Sequence, residues 1–160
     1  MPRVATLSLV ATLFGFLAVG CAAQPSDYES TVRDVFERAA SGQPVSDELL
    51  VASYPDTEEQ YDILRQAVQN GVGVTERDSL IESRIKAGSR SVLGAHLRYA
   101  AFIEGDEAMW YVEHLAGLDF EIPHETLCEL KKEAVDELGE ERFVHTRGYI
   151  RVCKEAGHWQ

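Results

Sequence analysis

The stretch Ser89-Arg90-Ser91-Val92-Leu93-Gly94-Ala95-His96-Leu97-Arg98-Tyr99-Ala100-Ala101-Phe102-Ile103-Glu104 is the most apolar run beyond the N-terminal segment, and its periodicity decides the fold class. Turned at 100° per residue, Val92, Leu93, Ala95, Leu97, Tyr99, Ala100, Phe102 and Ile103 cover nearly the whole circumference of a helix. A helix with no polar side has no solvent face, so it belongs at the centre of a bundle. No run of strict alternation in the chain is long enough to argue for a sheet. The expectation is an all-α domain, a compact bundle of about six to eight helices.

Working outward, start and stop signals cut the rest into helix-sized pieces. Ser26-Asp27-Tyr28-Glu29 fits a capping box that opens a helix carrying Val32, Val35, Phe36 and Ala39, stopped by Gly42 and Pro44. Ser46 to Tyr54 is a short second helix. Thr57-Glu58-Glu59-Gln60 is another capping box, placing Tyr61, Leu64 and Val68 on one face until Asn70-Gly71. Gly71-Val72-Gly73-Val74 has no following lysine and reads as a connector rather than a phosphate loop, with Thr75 capping the next helix. After Gly105, Ala108, Met109, Val112, Leu115 and Ala116 form an apolar stripe ending near Gly117.

Pro123 suits the first turn of a helix to Leu138, and a last helix runs from Glu140 to Ala156 across Gly139. In such an antiparallel hairpin Cys128 and Cys153 come within about 4.5 Å of the same level, so a modest stagger allows a disulfide. Phe143, Val144, Thr146, Tyr149, Ile150 and Val152 would also suit a strand.

The N-terminus reads differently. Arg3 is followed by an uncharged run from Val4 to Gly20, too short to favour a permanent membrane-spanning helix and laid out like an export signal. Ala18-Val19-Gly20-Cys21 resembles the lipobox of bacterial lipoproteins. The resemblance implies cleavage before Cys21 and acylation of that cysteine, with residues 1–20 a signal peptide, 21–25 a short tether and 26–160 a single helical domain. Several acyl chains give stable anchoring without a membrane span. Ala22, in place of the aspartate common in inner-membrane lipoproteins, implies the periplasmic leaflet of the outer membrane in a Gram-negative host. Export to an oxidising space leaves Cys128 and Cys153 as an even pair, which favours the disulfide.

Without residues 1–20 the chain keeps 14 basic against 27 acidic residues, a formal charge of −13. Such a domain repels nucleic acid and anionic lipid headgroups, and a cationic or neutral protein surface suits it better. The acids are dispersed along amphipathic segments, as on solvated helix faces.

Three constellations could carry chemistry. His96 lies on the central helix, where a core histidine satisfied by one hydrogen bond is the plainer reading. Glu113-His114 with Glu121-Ile122-Pro123-His124-Glu125 offers ligand types, but Pro123 interrupts the helix that a metal pair needs, and adjacent residues diverge by about 100°. Glu82-Ser83-Arg84-Ile85, with Ser91 and Gly94-Ala95, resembles the signature of lytic transglycosylases, which implies Glu82 as general acid and then base on a glycosidic bond. The chain departs from that pattern at Ala87, Leu97 and Ala100. Trp159 in the C-terminal tail is a candidate docking residue. No metal site or cofactor is expected. The composite expectation is an envelope lipoprotein that works by protein binding, as an adaptor, assembly factor or inhibitor. Peptidoglycan cleavage through Glu82 and a purely structural envelope role are the alternatives.

Overall fold

A computed structural model describes residues 26–119 and 121–159. The expected signal peptide, lipidated Cys21 and tether lie outside the described residues. Among the described residues there are eight α-helices and no strand: α1 (Asp27–Ser41), α2 (Asp47–Ala52), α3 (Glu58–Gln69), α4 (Val74–Lys86), α5 (Arg90–Tyr99), α6 (Gly105–Asp119), α7 (His124–Leu138) and α8 (Arg147–Glu155). No helix among them is long and apolar enough to cross a membrane.

The caps read at Ser26 and Thr57 form, and Ser46 and Ser89 cap their helices as well. Ser26, Ser46, Thr57 and Ser89 each accept a hydrogen bond from the backbone N–H three residues on, satisfying a donor that the first helical turn leaves free. Gly42 closes α1 in the left-handed region at φ +68°. α5 sits at the centre as its periodicity demands, packed on α7, α2 and α4, with Val92, Leu93, Ala95, His96, Leu97 and Tyr99 all buried. α1 packs on α4 and α3, and α8 on α7.

Three boundaries and one buried face differ from the sequence reading. α5 ends at Tyr99, and Ala101 and Phe102 donate to Arg98 O and Tyr99 O in a tightened turn that still buries Phe102 and Ile103. Burial alone therefore did not require helix as far as Glu104. α4 begins after Gly73, whose left-handed φ of +72° turns the chain, so Thr75 lies inside the helix rather than capping it. α6 buries Ala108, Tyr111, Leu115 and Leu118 and leaves Met109 69 % exposed and Val112 41 % exposed. Tyr111 sets that rotation: its large ring is fully buried and its hydroxyl donates to His96 O at 2.8 Å. The expected helix from Glu140 is replaced by two 3₁₀ turns, Glu140–Arg142 and Val144–Thr146, before α8. They turn Phe143 fully into the core, while Arg142 pairs with Glu58 and lays its guanidinium 4.7 Å from the Phe102 ring centre. Cys128 and Cys153 are joined in a disulfide between α7 and α8, with Cα atoms 5.4 Å apart.

Candidate functional site

Helical spacing sends polar side chains from four helices to one hollow. On α4, Arg77, Ile81 and Ile85 recur every four residues, so the stripe that buries the isoleucines carries Arg77 inward with them. On α6, Glu107, Trp110 and His114 follow one another at spacings of three and four and share a second face. With Tyr54 beyond α2, Arg65 on α3 and His96 and Tyr99 on α5, they line a cavity of about 530 Å³.

Polar groups set in its largely apolar wall are incompletely satisfied. Arg77 is only 6 % exposed. Its guanidinium stands 5.3 Å from the Phe36 ring centre and 5.4 Å from that of Tyr54, and Nη1 reaches Asp78 Oδ1 at 3.3 Å. Among the described residues, its Nε and Nη2 meet no acceptor. Burial raises the Asp78 carboxyl and the adjacent Arg77 charge pulls it back. His96, 4 % exposed, is 3.0 Å from the Tyr54 hydroxyl through Nδ1. Burial, reinforced by the neighbouring His114, Arg77 and Lys131, pushes its pKa down to about 3, so the ring is neutral. His96 Nε2 too has no partner among the described residues. Three buried nitrogens behind the cavity wall thus lack partners among the described residues.

The other groups are well held. Glu107 receives the hydroxyls of Tyr61, at 2.8 Å, and Tyr99. Tyr61 is pushed up to about 12, first by burial and then by Glu107, and Tyr99 is raised further by the same causes. Trp110 stacks on His114 with ring planes 9° apart and remains 47 % exposed at the mouth.

Of the residues singled out in the sequence, His96, His114 and Glu82 come to this cavity. Glu82 pairs with Lys86 at 2.6 Å, and that hydrogen bond holds its carboxyl below the ordinary range. A glycosidase general acid needs the reverse shift. Gly94 of the same resemblance faces Leu130 on α7, away from Glu82. Glu113 points to a different face of α6 from His114, beside Met109 and Val112. His124 goes instead to the disulfide. Trp159 is not free for docking, because its Nε1–H donates to Cys128 O at 2.9 Å.

Sequence reading missed Arg77, Asp78, Tyr54, Tyr99 and Glu107. The signal for Arg77 was present, a charge placed four residues before Ile81 on the apolar stripe of α4. No protein-family model, curated protein or solved structure matches this chain.

Proposed function

We propose that this is a lipid-anchored protein of the bacterial cell envelope that works by binding an envelope protein, with the cavity between α3, α4, α5 and α6 as its receiving site. The observation that carries the reading is the cavity itself, about 530 Å³ between four helices with an exposed aromatic mouth at Trp110. A tryptophan at the rim supplies the aromatic anchor common at protein contacts. Catalysis is not part of the reading. Glu82 and His96 are both displaced downward and Tyr99 upward, away from the near-neutral pKa that proton transfer rewards.

Acylated Cys21 would hold the domain within about 15–20 Å of the bilayer, the span of its short tether, at the periplasmic face of the outer membrane in a Gram-negative host. The test places a photocrosslinking amino acid at Trp110 in the full-length protein in its own cells, beside a clickable fatty-acid label. The expected result is a labelled protein and one dominant crosslinked envelope protein, lost in Cys21→Ser and weakened in His114→Ala. An unlabelled wild type would refute the lipid anchor. Absence of any adduct at Trp110 would refute the cavity as the receiving site.

A further inference from the structure

Away from the cavity, the first turns of α7 and the last turn of α8 bring three metal-type ligands together, with a further histidine in the tail after α8 beside them. His124 and Cys128 are four residues apart on α7 and therefore share a face. Cys153 lies on the last turn of α8, where Gly157 (φ +79°) turns the chain back and His158 N donates to Cys153 O at 3.2 Å. The hydrogen bond from Trp159 to Cys128 O ties this tail to α7. One ligand atom from each of His124, Cys128 and Cys153 lies within 4.8 Å of the others, and the His158 ring centre is 5.5 Å from that of His124.

The orientation of His124 is specific. Its Nδ1 is 2.8 Å from Asp119 Oδ1, which accepts the Nδ1 proton, so that in the neutral ring the Nε2 lone pair faces Cys128 Sγ at 3.4 Å. In the disulfide that sulfur carries no proton, so the lone pair faces an atom that offers it none. A thiolate sulfur and an imidazole nitrogen on one tetrahedral zinc ion stand about 3.6 Å apart at ordinary bond lengths. A carboxylate on the distal ring nitrogen is the arrangement that orients histidine ligands of metals.

We propose that reduction of the Cys128–Cys153 disulfide converts this cluster into a zinc site, with Cys128, Cys153, His124 and His158 as ligands and Asp119 as the residue that positions His124. The proposal does not depend on the binding function above. A dithiol supplies two electrons and two protons, breaking the S–S bond to give two thiols while it becomes a disulfide itself. Zinc then displaces both thiol protons to solvent. Two thiolates and two neutral imidazoles cancel the ion's charge, which suits sulfurs that are fully buried.

The experiment reduces the purified full-length protein with a phosphine under anaerobic conditions and titrates cobalt(II) as a spectroscopic stand-in, followed by zinc. The expected result is one cobalt per chain with thiolate charge-transfer and tetrahedral d–d absorption, both displaced by zinc and both absent from the oxidised protein. His124→Asn and His158→Asn should each weaken zinc binding about ten-fold or more. Circular dichroism follows folding in parallel; if reduction loosens the helices, zinc should restore them. A reduced protein without thiolate charge transfer, equal affinity in both histidine variants and the wild type, or a loosened chain that zinc does not refold would overturn the proposal.

Discussion

The ammonium group of Lys131 is wholly buried beneath the 3₁₀ turns, 4.1 Å from the centre of the Phe143 ring, and meets no acceptor among the described residues. The ring face offsets part of the desolvation, but burial still pushes the lysine pKa down to about 7 from 10.5. Between those values the unfolded chain holds a proton that the folded chain does not, so this group makes stability rise with pH from about 7 upward; below 7 both states carry the proton and its effect is constant. Tyr54, Tyr99 and Tyr111 act in the opposite sense above about pH 10, because the fold keeps phenolic protons that the unfolded chain gives up. His96, held neutral down to about 3, removes stability as pH falls from 6.5 toward 3. The rise from neutral to about pH 9 is therefore assigned to Lys131. Lys131→Met should be more stable than the wild type at pH 6.5 by a few kcal/mol and should lose most of that rise. Urea unfolding of both proteins at the two pH values checks this, and parallel slopes would show that Lys131 is not the titrating group.

At the scale of elements, the start of α4 depends on one glycine. Gly73 has φ +72°, and a Cβ there would run into the Phe36 carbonyl oxygen and stand 3.3 Å from Ala40 Cβ, both on α1. α1 and α4 are closely packed partners, so the backbone of one leaves no room for a side chain at the entry to the other. Gly71, two residues earlier, has nearly the same φ of +74°, and a Cβ there would meet nothing within 4 Å. Gly71→Ala should therefore cost only the left-handed conformation, about 1–2 kcal/mol. Gly73→Ala adds the collision and should cost roughly 3–4 kcal/mol. Thermal unfolding of the pair separates conformation from packing, and equal losses would mean that α1 yields to the new methyl group. α6 gives the companion lesson: two apolar stripes were available, and Tyr111, with a ring to bury and a hydroxyl to pair, decided which one faced inward.

The whole molecule is a small acidic bundle whose last two helices are closed by a covalent link. Cys128 and Cys153 are 25 residues apart, and a bridge over such a loop stabilises by about 3–4 kcal/mol in the chain-entropy model. The double variant Cys128→Ala, Cys153→Ala should unfold at correspondingly lower urea concentration with an unchanged helix content under native conditions; an unchanged midpoint would mean that packing of α7, α8 and Trp159 already restricts the loop. Much of this architecture is legible in the chain. The all-round apolar α5, the capping boxes at Ser26 and Thr57 and the turn at Gly42 are local matters of periodicity and hydrogen-bond satisfaction, so neighbouring residues suffice to specify them. The cysteine pairing was legible from the even number left beside Cys21, whereas the helix expected from Glu140 to bring the two thiols to one level is replaced by 3₁₀ turns. The candidate site was not, apart from isolated members such as His96 and Glu82. Whether Arg77 is buried against Phe36 and Tyr54, whether Tyr99 and Tyr61 share Glu107, and whether His124 meets Cys128 or pairs with His114 depend on how helices distant in sequence rotate and cross. By itself, then, the sequence determined the all-α class, most of the helices and their central member, since these follow from short-range periodicity and capping. Only the tertiary structure decided which polar groups share the cavity and which α6 face is hidden, since each depends on the competition of several helices for one core.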